Sequence, residues 1–222
     1  MTATLSAFSA SSLYWFGRYT QRIEGMLFAL MEAHDRVIDQ QFPAGQDLMK
    51  KLGVTISYED ASEFLEEAVY GDHTANLLTC ADNARENAII IRNHIPDGAF
   101  VAVNKIWRLF KEQEQSLHAI DIIFLENEIL SLLRTVWGSL RQQTLRGIGD
   151  ELIEFGRIIE RIDLYIRTQD DLNYVLIQQE ALNRIGHRVS RSYKPAAVGH
   201  SDKTRLLQSF NSLIDTIITD AP

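Results

Sequence analysis

Proline interrupts this chain only at Pro43, Pro96, Pro195 and Pro222, so long stretches contain nothing that must break a helix. Between those breaks apolar residues recur every three or four positions. Phe16, Tyr19, Ile23, Met26, Leu27, Leu30, Val37 and Ile38 form one such stripe, the signature of a helix packed along its length on other helices. Apolar residues make up 45% of the chain and charged residues 23%, enough to build a core and too rich for disorder. The expected class is all-α, a single-domain bundle of about seven or eight helices.

The helix signals divide the chain as follows. A long first helix is expected to start near Ser11 or Ser12 and to run to the break at Phe42-Pro43-Ala44-Gly45. A short helix follows the capping-box-like Ser57-Tyr58-Glu59-Asp60 and ends near Gly71. Further helices are expected over residues 72–94, 99–115 and 118–146. Asp150 is expected to cap the next one, and two more span 170–185 and 201–219. Residues 186–200 read as a loop, which leaves a core over 11–185. That loop lies within a basic segment in which Arg184, Arg188, Arg191, Lys194, Lys203 and Arg205 face only Asp202; it reads as a linker or as a contact for an anion or an acidic partner.

A formal net charge of −8 argues against general nucleic-acid binding, which needs clustered cations to meet phosphates. No apolar run approaches the roughly 18–20 residues of a membrane helix. Met1 to Ala10 lacks a secretory pattern and Cys80 has no second cysteine to pair with, so a reducing cytoplasm is expected. Six dispersed histidines form no Glu-x-x-His, His-x-x-x-His or Cys-x-x-Cys arrangement, and no phosphate-binding glycine loop occurs. Neither a metal nor a cofactor is expected.

One pattern occurs twice. A gapless alignment sets Leu13, Phe16, Gly17, Arg18, Arg22 and Ile23 on Leu152, Phe155, Gly156, Arg157, Arg161 and Ile162, with Gln21 on Glu160 and Glu24 on Asp163. At about 100° per residue, Tyr14, Arg18, Gln21, Gly25 and Phe28 lie opposite the apolar stripe, so charged groups sit among apolar neighbours and both helices are expected to be packed on two sides. A buried guanidinium needs a partner. Arg157 and Glu160 have the spacing to pair along one helix, whereas Arg18 has neutral Gln21 at that spacing and is free to seek a carboxylate elsewhere, such as Glu160, or an anionic ligand. Glycine in a helix costs about 1 kcal/mol, so Gly17 and Gly156 imply a close approach of backbones or of a ligand. Two readings follow: a structural Arg/Glu network, or a pocket for a carboxylate or phosphate.

Three segments carry a family likeness. Leu13-Tyr14-Trp15-Phe16-Gly17-Arg18-Tyr19-Thr20-Gln21-Arg22-Ile23-Glu24, the central Cys80-Ala81-Asp82-Asn83-Ala84-Arg85-Glu86-Asn87-Ala88, and Leu152 to Asp163 with Phe155-Gly156-Arg157 and Glu160-Arg161 resemble the opening, middle and second Glu-Arg helices of the alpha-E family, bacterial all-helical proteins named for that motif. Gln21 stands where that family's first Glu-Arg motif has its glutamate, and Pro96-Asp97-Gly98 lacks its Ser-Glu-Met-Trp-like turn. The resemblance implies association with an ATP-grasp type ligase and a transglutaminase-like protease in making or attaching a peptide or amide bond. On that reading the chain is an accessory subunit or co-catalyst acting on a peptide or anionic substrate. A stand-alone enzyme and a structural homo-oligomer are the alternatives. The nominated site has Glu160 as acid or base and Arg18, Arg22, Glu24, Arg85, Glu86, Arg157, Arg161 and Asp163 as binding residues.

Overall fold

A computed structural model describes residues 5–114, 122–142, 147–169, 173–195 and 203–218, together with the backbone alone of parts of two helices. The regular elements of these residues are all helical: α1 (Ala7–Ile38), α2 (Pro43–Lys51), α3 (Ala61–Tyr70), α4 (Leu77–Ile90), α5 (Asp97–Glu114), α6 (Ile122–Arg141), α7 (Ile148–Thr168), α8 (Asn173–Val189), α9 (Lys203–Asn211) and α10 (Leu213–Ile218). No helix of the described residues is long and apolar enough to cross a membrane.

The 32-residue α1 is the axis of the molecule and packs most closely along α7 and then along α4. Around this pair, α2 and α3 cover α1, α8 and α9 cover α7, and α5 joins α4 to α6. The two long helices face one another through Tyr14, Gly17 and Gly25 of α1 and Ile153, Gly156 and Leu164 of α7. Leu13, Phe16, Ile23 and Leu27 of α1 are buried, as are Leu152, Phe155, Ile159 and Ile162 of α7. Both helices also bury polar residues on other faces, Arg18, Thr20 and Gln21 on one and Arg157, Glu160 and Asp163 on the other. They are packed on two sides, with Phe28 as the exception at 53% exposure.

Several helix ends differ from expectation because a different side chain wins the free amides. Ser6 Oγ accepts from Ser9 N at 3.1 Å, so α1 begins a turn before Ser11. Asp60 rather than Ser57 caps α3, with Glu63 reaching back to Glu59 N at 2.7 Å. Asn76 caps α4, so the stretch after Asp72 is not helical. Asp150 sits inside the first turn of α7 and accepts from Gly147 N at 3.0 Å; the helix starts at Ile148. The break at Pro43 opens a helix of its own, because proline is well suited to a first helical position, and Tyr58 Oη pins this entrance by accepting from Gly45 N and donating to Phe42 O.

At the other end, α8 continues through Gly186 to Val189, into the expected loop, and the last helix is divided at Ser212. Expectations for residues 115–121, 143–146, 170–172, 196–202 and 219 lie outside the described residues.

Candidate functional site

The two copies of the repeated pattern meet face to face. A Cβ built on Gly17 would lie 2.9 Å from the Ile153 carbonyl carbon, and one built on Gly156 would lie 3.0 Å from that of Tyr14. Tyr14 and Ile153 are themselves equivalent in the repeat, so α1 and α7 cross about a local pseudo-two-fold axis, each glycine admitting the other helix's backbone.

The arginines follow the same exchange. Arg18 Nε donates to Glu160 Oε2 at 2.7 Å and Arg22 Nε to Glu160 Oε1 at 2.5 Å. In the mirror position Arg157 Nε and Arg161 Nε both donate to Gln21 Oε1, at 3.0 and 3.1 Å. Each helix thus closes a pair of guanidiniums on the residue that precedes Arg22 or Arg161 in the partner helix. The expected Arg157–Glu160 pair along α7 does not form, because Glu160 is turned into the seam; Arg157 reaches Glu154 instead, at 3.4 Å.

The Glu160 half is the more elaborate. Asp163 Oδ2 accepts from Arg18 Nη2 at 3.3 Å and Arg22 Nη2 at 3.4 Å, and its Oδ1 from Arg167 Nε at 2.9 Å. Arg18 Nη1 also donates to Asn211 Oδ1 at 2.7 Å and to the Tyr14 hydroxyl at 3.3 Å, while its guanidinium lies 5.4 Å from the Trp15 ring. Burial is the largest influence on Arg18 and Arg22 and disfavours their charge, but Glu160 by charge and hydrogen bond, together with Tyr14 and Asp163 at Arg18 and Cys80 at Arg22, overcomes it, and both are held more basic than usual. For Glu160, burial is likewise the largest influence, and the charges of Arg18 and Arg22 with their hydrogen bonds overcome it, holding the carboxyl below its ordinary range. Three guanidiniums therefore face two carboxylates around a cavity of about 380 Å³, walled also by Tyr14, Trp15, Tyr19 and Asn211.

A model of the family described as a predicted alpha-helical domain with a conserved ER motif matches residues 5–214. The chain belongs to the Alpha-E family. Its ER pair in this Alpha-E protein is Glu160-Arg161, whose members point to opposite ends of the crossing: Glu160 to the α1 arginines and Arg161 to Gln21. No curated protein and no solved structure matches the chain.

Of the nominated residues, Arg18, Arg22, Arg157, Glu160, Arg161 and Asp163 converge on the crossing. Glu24 makes its charge felt at Arg157. Arg85 and Glu86 find partners on α4 and α5: Arg85 donates to Asn104 at 3.1 Å and to Glu86 at 3.3 Å, and covers the Trp107 ring at 4.4 Å. Asn211, Arg167 and Trp137 were not legible as site residues. For Arg167 a signal existed, its place four residues after Asp163 on one helix face.

Proposed function

We propose that this Alpha-E chain is a non-catalytic helical subunit of a cytoplasmic, ATP-grasp-linked system that makes or modifies a peptide or amide bond, docking with the ligase and presenting or shielding its peptide substrate. The observation that carries the non-catalytic half is the state of Glu160. It is 1% exposed, both its oxygens accept from arginines, and it stays ionised. A general acid or base needs a pKa near the working pH, and Glu160, held below the ordinary carboxylate range by two arginines, does not offer one. The ligase association is supported by the family likeness of the three motif segments. The cavity beside Arg18, Arg22 and Arg167 supplies a place for an anionic group of the substrate, since its guanidiniums outnumber its carboxylates.

Affinity purification of the tagged chain from its native host tests the association. Recovery of an ATP-grasp ligase, with ATP-dependent amide formation by the pair and none by the chain alone, is the expected result. Absence of such a ligase from the purified material, or turnover by the isolated chain, would overturn it. The surplus cation at the cavity favours a second reading, a stand-alone enzyme acting on an anionic substrate with Glu160 as acid or base. On that reading Glu160→Gln abolishes activity in a chain that still folds.

A further inference from the structure

The repeat that builds the Arg18 cavity also builds a second one. Ile153, Glu154 and Arg157, the residues aligned with Tyr14, Trp15 and Arg18, line a cavity of about 250 Å³ closed by Trp137, Leu140 and Arg141 of α6. Its charges are satisfied quite differently from those of its mate. The Arg157 side chain is only 7% exposed and lies 4.1 Å from the Trp137 ring, yet it holds a neutral amide, Gln21, and a distant carboxylate, Glu154 at 3.4 Å. Burial and the nearby charge of Arg161 leave it less basic than an ordinary arginine, in spite of Glu154 and Glu24.

One further group on this wall lacks a partner among the described residues. Arg141, exposed on the same wall, makes no ion pair or hydrogen bond among them. The acids are unequal. Asp150 accepts from Gly147 N and Glu151 from Arg188 Nη2 at 2.8 Å, whereas Glu154 has, among the described residues, only its long contact with Arg157.

The geometry points to a binding site for a free α-amino acid with an apolar side chain, its carboxylate received by Arg157 and Arg141, its ammonium by Glu154, and its side chain by Trp137, Leu140 and Ile153. The volume lies below the ~300–1,000 Å³ of pockets for drug-sized ligands and suits a small metabolite. A dianion such as phosphate would face three carboxylates on the wall, which disfavours it, while a zwitterion meets both signs of charge. Such a site stands whether or not the chain partners a ligase.

Calorimetric titration of the whole chain with leucine, 4-methylpentanoate, 3-methylbutylamine and inorganic phosphate tests it. Leucine is expected to bind saturably, the two analogues that lack one charge at least ~tenfold more weakly, and phosphate not at all. Glu154→Gln and Arg141→Gln, both at accessible positions, should each weaken leucine binding ~tenfold with the helical circular dichroism unchanged. Gln21→Glu, which gives Arg157 a carboxylate from within, should also weaken it. No saturable heat with leucine, equal affinity for 4-methylpentanoate or phosphate, or leucine binding untouched by all three substitutions would overturn the assignment.

Discussion

Arg18 and Arg157 occupy equivalent places in the two crossing helices, yet Arg18 donates to a carboxylate, Glu160, at 2.7 Å and Arg157 to an amide, Gln21, at 3.0 Å. One substitution in an otherwise reciprocal exchange thus closes one end of the crossing on a carboxylate and the other on a neutral amide.

Glu160 should dominate stability at its end of the crossing. Replacing it by Ala leaves Arg18 and Arg22 with no anion at its place, and breaking a buried pair in this way costs about 3–5 kcal/mol. Urea denaturation at neutral pH measures this; a loss below about 1 kcal/mol would mean that the arginines find solvent without penalty.

The same carboxyl predicts the acid limb of the stability curve. Its folded pKa lies below the ordinary value of 4.5, so its contribution is fully present above that value and is lost as pH falls through the lower folded pKa. Wild type should therefore lose stability below about pH 4.5 more steeply than Glu160→Gln. Parallel curves for the two proteins would show that Glu160 is not the titrating group.

Gln21→Glu should act in the opposite direction. A carboxylate between Arg157 Nε and Arg161 Nε would recreate the arrangement around Glu160, and at neutral pH we expect a gain of about 1 kcal/mol that disappears on acidification. Thermal melts at pH 7 and pH 3.5 provide the comparison.

The glycines separate packing from helix propensity. Gly17→Ala and Gly156→Ala each drive a methyl into the opposing backbone, where nothing flexible can yield, and should destabilise by about 1–3 kcal/mol or more despite alanine's better propensity. Gly138→Ala in α6 meets nothing within 4 Å and should stabilise by about 0.5–1 kcal/mol. Equal effects at the three sites would remove the case for a close crossing.

Cys80 offers a reporter of global opening. It is 1% exposed and burial pushes its thiol up to about 12, in spite of Arg22 nearby. A thiol reagent at pH 8 should label it only at the rate of unfolding. Immediate labelling of the folded chain would place the α4 face in contact with solvent.

Periodicity and scarce proline make the helices legible, because a helix's stripe is written at fixed local spacing. Their ends are less so: Ser6 and Asp60 cap where Ser11 and Ser57 looked equally able, and Asn76 starts a helix expected from residue 72, since a cap depends on which oxygen the neighbouring packing leaves facing the free amides. Pro43 reads equally as a stop and as a start, and only the seat of Tyr58 on Phe42 and Gly45 separates the two.

What the sequence by itself determined is the all-helical class, the two glycine-bearing helices and the set of arginines and acids they carry, all properties of spacing along one chain. Only the tertiary structure decided who pairs with whom. Spacing favoured Arg157 with Glu160, but a pseudo-two-fold crossing turns each helix's arginines onto the other's residue, and α9 brings Asn211 to Arg18 from the far end of the chain. Charge pairs of that kind depend on where two helices cross, a distance that no local spacing encodes.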